Sequence, residues 1–101
     1  MPSGFPSDIP IYPGARLTAG ASFSSNGQST WGMEWETVDG VDKVKAFYAK
    51  QLGQGDWSVT IKDIPSGFSA NFARKSNTRA YGTLAADGSS GVTKISMAFV
   101  A

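Results

Sequence analysis

One stretch of this sequence, residues 39–53, has the pattern of an amphipathic helix, and the segments on both sides of it alternate as strands do. Its apolar side chains recur at spacings of three and four and form one stripe: Val41, Val44, Phe47, Tyr48 and Leu52. Asp39 is the expected N-cap, and Gly53 is the expected stop after the last helical turn. A chain with a single helix must bury that stripe against its strands, so the helix determines the architecture.

Six segments have the period-two alternation of half-buried strands. They span residues 16–24, 30–38, 57–62, 68–72, 79–86 and 92–100. Asn26-Gly27 predicts a type I′ turn between the first two, because that turn requires positive φ at both central positions. The predicted fold class is α+β: a single antiparallel sheet of five or six strands with one helix packed on one face, in the order β-β-α-β-β-β-β.

Alternation also assigns side chains to the two faces of the predicted sheet. The face under the helix should collect Trp31, Met33, Trp35, Trp57, Val59, Ile61, Phe68, Phe72, Ile95, Met97 and Phe99. The opposite, solvated face should collect Glu34, Glu36, Ser58, Thr60, Lys62, Ser69, Asn71, Lys94 and Ser96. In the first strand, four apolar side chains are expected to share one face: Leu17, Ala19, Ala21 and Phe23.

The chain divides into a proline-rich extended arm, residues 1–15, and a single α+β domain, residues 16–101. Proline favours extended backbone and removes hydrogen-bond donors, and most of the prolines lie in the arm. Ile9, Ile11 and Tyr12 are interleaved with them, which favours an arm that lies across the core over a free tail. The opening Met-Pro-Ser-Gly indicates that the natural precursor is longer at this end.

The composition argues against several classes of function. With no cysteine and no histidine, the chain lacks thiolate chemistry, the commonest general base and the commonest metal ligand, so no cofactor or metal is expected. A formal net charge of +1 provides no field that would steer the chain onto nucleic acid. No apolar run in the sequence has the length of a transmembrane segment.

Two stretches and a following tryptophan resemble one class of small bacterial domain: DIPIYPGA (8–15), ETVDGVDKVKAFYAKQL (36–52) and Trp57. The matching residues are Tyr12, Pro13, Gly14, Ala15, Thr37, Asp39, Val44, Phe47, Tyr48, Leu52 and Trp57. They resemble the Tyr-Pro-Gly-Ala entry, the Thr-x-Asp helix start and the Val-x-x-Phe-Tyr-x-x-x-Leu helix of small exported or lipoprotein-type domains of unknown function. Asp56 departs from this pattern, because it separates Gly55 from the tryptophan.

The resemblance implies an exported protein, periplasmic or at the cell surface, that is membrane-anchored in its full-length form. It says nothing about activity, because the matching residues are mostly packing residues of the predicted fold.

Two pairs of side chains on the second predicted strand are candidates for function. Glu34 and Glu36 lie roughly 7 Å apart on the same face, and paired carboxylates can perform acid/base catalysis on glycosidic bonds. Solvated carboxylates opposite Lys or Arg are the commoner outcome of this pattern. Trp31 and Trp35 would form a stacking platform for a sugar or an apolar ligand if they lay at the rim of the sheet.

A third candidate is the basic cluster of Arg74, Lys75 and Arg79, which flanks the predicted hairpin loop of residues 75–78. Such a cluster could contact phosphate, a lipid headgroup or an acidic glycan. Charges at a hairpin tip more often serve solubility and protect a sheet edge.

The leading hypothesis is a non-enzymatic binding or interaction module of the bacterial cell envelope, with an envelope protein or a cell-wall glycan as its partner. One alternative is a small-ligand carrier with an apolar or sugar ligand between helix and sheet, which requires a cavity lined by Trp31, Trp35, Tyr48 or Trp57. The other alternative is a glycosidase-like hydrolase that uses the paired carboxylates. The expected oligomeric state is a monomer or a weak dimer paired through sheet edges.

Overall fold

The computed structural model describes residues 9–25, 27–77 and 79–101. Its elements are β1 (Arg16–Ser25), β2 (Gln28–Thr37), α1 (Val41–Gln54), β3 (Trp57–Ile64), β4 (Gly67–Arg74), β5 (Tyr81–Asp87) and β6 (Thr93–Val100). Three parts of the sequence predictions lie outside the described residues: residues 1–8 of the arm, Asn26 of the first turn and Thr78 of the hairpin loop.

All six strands belong to one antiparallel sheet with the order β1-β2-β6-β5-β4-β3. After the β1–β2 hairpin, α1 carries the chain to the far edge, and β3 to β6 return strand by strand. β6 therefore ends beside β2 and joins the hairpin to the four-stranded meander. Ser29 and Ala101 extend this pairing with two mutual backbone hydrogen bonds of 2.8 and 2.9 Å.

The predicted fold class is wrong in how it combines the helix with the sheet. The prediction placed one helix over a sheet of five or six strands, whereas 56% of the described residues are in strands and α1 packs mainly against β3, β4 and β5. The other half of the sheet is attached through the β2–β6 pair, which sequence order does not predict. The physical reason for the partial cover is size: a helix is about 10 Å across and strands lie about 4.8 Å apart, so one helix covers about half of this sheet.

The helix is also displaced by one or two residues from its predicted ends. Gly40, not Asp39, is the N-cap, and it provides no side-chain hydrogen bond to the first turn. Gly55, not Gly53, ends the helix, and its N–H donates to the carbonyl of Leu52 at 3.3 Å. The carboxylate of Asp39 is unavailable as a cap because it accepts a hydrogen bond from the N-terminal arm.

The N-terminal arm is held to the helix by Tyr12. Its hydroxyl donates to Asp39 Oδ2 at 2.6 Å, and its backbone N–H donates to the Tyr48 hydroxyl at 3.2 Å. The ring of Tyr12 packs edge-on against Phe47, with centroids 5.2 Å apart, and the N–H of Asp39 donates to Thr37 Oγ1 at 3.2 Å. These five residues all belong to the family resemblance. In this chain they form one contact network, the Tyr12 network, that locks the arm onto the start of α1.

In β2 to β6 the two faces of the sheet have the composition that alternation predicts. β1 differs, because its pairing with β2 shifts by one residue between Leu17 and Ala19, which makes Thr18 the extra residue of a β-bulge. Leu17 stays on the helix face, while Ala19, Ala21 and Phe23 move to the opposite face. The prediction that these four side chains share one face is therefore wrong, since a single extra residue inverts every side chain beyond it.

The core contains a cluster of aromatic rings over Gly82. Phe72 and Phe99 pair with Gly82 from the strands on either side, and their rings stack with centroids 6.0 Å apart. Strands two apart are separated by about 9.6 Å, so the two rings lean towards each other across the glycine. Trp57 packs edge-on against both rings, at 5.3 and 5.8 Å. The missing side chain of Gly82 is what allows the rings to meet.

We predict opposite effects for two glycine substitutions in the sheet. In Gly82→Ala the new Cβ would lie 2.6 Å from the carbonyl oxygen of Ala98 and 2.8 Å from the ring of Phe72, so the free energy of unfolding should fall by about 2 kcal/mol. Gly32→Ala is the matched control, since its Cβ meets nothing within 4 Å and the change should be neutral or stabilising by about 0.5 kcal/mol. Urea denaturation measures both, and equal losses would contradict the packing described here.

We also predict that Tyr48 gives the fold an alkaline limit. Burial raises the pKa of Tyr48 from 10.0 to about 12. The unfolded chain ionises this phenol first, so the stability contributed by the neutral buried phenol is complete below pH 10 and is lost as the pH rises to about 12.

Tyr48→Phe should therefore change the pH dependence as well as the stability. At neutral pH it leaves the N–H of Tyr12 without its acceptor and should cost about 1–2 kcal/mol. Above pH 10 the free energy of unfolding should fall more steeply in the wild type than in the variant, so the two curves converge. Urea titrations between pH 8 and 11.5 test this, with Tyr81→Phe as the control for loss of an exposed phenol; parallel curves would refute it.

Candidate functional site

The face of the sheet opposite α1, the open face, carries its charged side chains in two of its cross-strand rows. One row contains Arg16, Glu36, Lys94, Asp87, Gly67 and Ile64, and the next contains Ala19, Glu34, Ser96, Ala85, Ser69 and Lys62. In the first of these the charges alternate in sign, and Arg16 and Glu36 form an ion pair of 3.3 Å. The N–H of Ser89 donates to Asp87 at 2.8 Å and lowers the pKa of that carboxyl, which keeps it ionised.

The next two rows of the open face contain no charged residue, and together we call them the neutral band. One row contains Phe23, Thr30, Val100, Tyr81, Ala73 and Ser58, and the other contains Ala21, Gly32, Ala98, Thr83, Asn71 and Thr60. The band therefore crosses all six strands with one residue from each strand in each row. Most of these side chains are small, so the band is flat except where its two aromatic rings stand out.

The two aromatic rings of the band are strongly exposed. Phe23 is 66% exposed and Tyr81 is 49% exposed. They belong to the same row on β1 and β5, three strand spacings apart, which corresponds to about 14 Å. Only Thr30 and Val100 lie between them in that row, and both are shorter. The row thus presents two raised rings with a low stretch between them.

Two open depressions on this face are lined by hydroxyl and amide groups, and Tyr81 borders the larger of them. One has a volume of about 450 Å³ and a second about 300 Å³, and both are bordered by Asn71 and Thr83. Thr60 and Ser58 line the larger one. Within the described residues these side chains have no hydrogen-bond partner, so their donors and acceptors face solvent. The arrangement can therefore offer hydrogen bonds to a ligand that lies flat on the band.

The tryptophans proposed from sequence as a stacking platform lie on the other side of the sheet. Trp31 is 6% exposed and Trp35 is 2% exposed, and both belong to the helix face. The ring of Trp31 packs on Phe99 at 5.9 Å between centroids. Neither residue offers a ring face to a ligand, because both are part of the core.

The predicted basic cluster is divided by the structure. Arg74 lies over the ring of Trp57 at 4.3 Å and approaches Asp56 Oδ2 at 3.9 Å, so it serves packing at the edge of the core. Lys75 and Arg79 are exposed, and the backbone N–H of Lys75 donates to the carbonyl of Asp56 at 2.9 Å. Asp56, which departs from the family pattern, thus anchors the turn before β3.

The paired carboxylates of β2 are held by the neighbouring strand. Glu34 accepts a hydrogen bond from Thr18 Oγ1 at 3.1 Å, and Glu36 is paired with Arg16. Both lie on the open face rather than in a cleft, whereas a glycosidase encloses the sugar between its two carboxyl groups. Their geometry is that of cross-strand surface contacts.

Another depression, of about 540 Å³, lies where the loops meet the start of α1. Its charged group is Asp39, whose carboxylate is engaged by Tyr12. A carboxylate at this position works against the binding of an anion at the helix N-terminus. The charged side chain that lines this depression is therefore already engaged within the chain.

Comparisons with protein-family models, with curated proteins and with solved structures each found no match to this chain. Across the described residues, no helix has both the length and the apolar character needed to cross a membrane. In the same residues, no three acidic side chains come together as a metal site would require. A function can therefore be assigned only from the geometry of the chain.

The neutral band was missed by the sequence analysis. Phe23, the ring that β1 contributes to the band, was expected on the same face as Leu17, and only the bulge at Thr18 places it on the open face. Tyr81 was recognisable, because it has the parity of Thr83 and the opposite parity to Leu84 in a single strand. The paired registers of six strands were needed to show that the two rings belong to one uncharged row.

We predict that the two arginines of the basic cluster differ in their effect on stability. Arg74→Ala removes the cation over Trp57 and should lower the free energy of unfolding by about 1 kcal/mol. Arg79→Ala is the matched control, and it should change stability by less than about 0.5 kcal/mol because the residue is exposed. Urea denaturation followed by tryptophan fluorescence measures both. Equal effects would mean that the contact with Trp57 contributes nothing.

Proposed function

We propose that this chain is a non-enzymatic binding module of the bacterial cell envelope and that its partner lies on the neutral band. The observation that carries the proposal is the separation of charge on the open face. A sheet face that meets only water usually mixes charges over its whole surface. Here the charges occupy two rows, and the two neighbouring rows present an uncharged surface that crosses six strands.

A binding role fits the chemistry of the band better than catalysis does. The only ionisable side chain in the band is the phenol of Tyr81, and the carboxylates of Glu34 and Glu36 are engaged by cross-strand partners. A catalytic site needs a group that moves a proton or attacks a substrate at a defined point. The band instead offers flat area, two rings and a set of fixed donors and acceptors.

A site on the surface of the band is also consistent with the close packing of the core. The carrier alternative requires a cavity at the aromatic residues between helix and sheet, but Trp35, Tyr48 and Trp57 are each at most 2% exposed and packed against neighbours. The depression beside Tyr81 lies on the opposite face. A ligand would therefore be held on the surface of the sheet rather than inside it.

Export and anchoring rest on the family resemblance. Its residues at the arm and helix are those of the Tyr12 network, so the resemblance describes a way of building the fold. We propose a periplasmic or cell-surface location, with the domain anchored in the full-length protein. An anchored domain can present a flat face to the envelope without a deep pocket, because tethering raises the effective concentration of its partner.

We predict that a charge placed in the band weakens attachment to envelopes isolated from the bacterium that produces the protein. Ala98→Arg puts a cation at the middle of the band and should lower the bound fraction about tenfold, the cost of burying an unpaired charge. Ser96→Arg is the matched control, two residues away on the same strand and face but in a row that already carries charges, and it should bind as the wild type does.

Co-sedimentation of each purified variant with the envelopes measures the bound fraction, and circular dichroism confirms that both variants are folded. Equal binding by the two variants, or no binding by the wild type, would overturn the proposed function.

A further inference from the structure

The row that contains Phe23 and Tyr81 has the layout of a track rather than a pocket. The two rings stand about 14 Å apart and the side chains between them, Thr30 and Val100, are lower. An exposed ring that is not packed on the protein offers an apolar face to an equally flat apolar surface. The carbon–hydrogen faces of linked sugar rings are such surfaces, and several linked units would bridge the two rings.

The neighbouring row supplies the polar half of such a contact. Thr83, Asn71 and Thr60 come from three adjacent strands and point to the same side as Tyr81. A hydroxyl group can donate or accept, and the amide of Asn71 does both. Within the described residues these three side chains have no hydrogen-bond partner. A ligand with many hydroxyl groups would therefore pair with their donors and acceptors without displacing a protein contact.

The charge of the band disfavours the other large classes of ligand. Nucleic acids, anionic lipids and phosphorylated groups are bound through Lys and Arg, and neither row contains one. Arg79 borders the band beside Tyr81, in a depression of about 460 Å³, but it stands alone there. A protein partner would be expected to insert anchor residues into enclosed pockets, whereas the depressions of the band are open and lined by hydroxyl and amide groups.

We infer that the ligand of the neutral band is an uncharged glycan chain that lies across the strands, stacked on Phe23 and Tyr81 and hydrogen-bonded by Thr83, Asn71 and Thr60. The inference rests on the proposed function, because it names the chemical class of the partner for the same surface. It also sets a direction for the chain, perpendicular to the strands. Both rings should then contribute to the affinity for a long glycan, and one ring should be enough for a short one.

The test is an amide chemical-shift titration of the isotope-labelled protein with two tetrasaccharides, one of β-1,4-linked N-acetylglucosamine and one of β-1,4-linked glucose. Shifts should be confined to the neutral band. Tyr81→Ala and Phe23→Ala should each weaken binding of the better tetrasaccharide about tenfold, in line with the loss of a stacked ring. Tyr81→Phe keeps the ring and should bind as the wild type does.

Two variants serve as controls on the same surface. Ile64→Ala removes an exposed apolar side chain of the open face outside the band, and Arg79→Ala removes the cation at its border. Both should keep the wild-type affinity. Binding that depends on Arg79 and not on the rings would show that an anion is recognised and would overturn the inference. The dispersion of the amide spectrum shows for each variant that the fold is retained.

The failure of this inference can be told apart from the failure of the proposed function. If neither tetrasaccharide shifts the resonances of the band while Ala98→Arg still weakens attachment to envelopes, the glycan is the wrong ligand and the band remains a binding face. If Ala98→Arg has no effect on attachment, both proposals fail. Shifts outside the band with either sugar would likewise overturn the inference.

Discussion

The pairing of β2 with β6 is the interaction on which the rest of this structure depends. It runs from the Thr30–Val100 pair to the Thr37–Thr93 pair and joins two parts of the chain that are far apart in sequence. The helix supports mainly the meander, so this ladder is what makes the hairpin part of the same sheet. Closing such a long loop costs chain entropy, and the ladder must offset that cost. Without it the rings of Phe23 and Tyr81 would belong to two separate surfaces.

The contacts that stabilise the fold and the neutral band lie on opposite faces of the sheet. The Tyr12 network and the aromatic cluster over Gly82 lie on the helix side of the sheet, where they lock the arm and fill the core. The neutral band lies on the other side. The residues that hold the arm and fill the core therefore take no part in the surface that the neutral band presents.

Local patterns predicted much of the fold, and tertiary contacts decided the rest. Period-two alternation was enough for the faces of β2 to β6, because one side of each strand is buried. It failed in β1, since a bulge cannot be seen in a strand of small residues. The prediction of Asp39 as the helix cap was wrong, and its carboxylate accepts a hydrogen bond from Tyr12 instead. The prediction of Trp31 as a stacking platform was wrong because alternation indicates the face of the sheet on which a side chain lies but not whether other residues bury it. The neutral band combines residues from six strands, so it could be recognised only once the order of the strands in the sheet was known.

The bulge at Thr18 determines how a change of one residue in the length of β1 would act on the sheet. Deletion of Thr18 would restore the regular ladder, yet Leu17 would stay opposite Trp35 and Phe23 opposite Thr30, so neither side chain would change face. Homologous chains that lack this one residue would then present the same open face. A gap in an alignment at this position would therefore indicate the loss of the bulge and not a change of the surface.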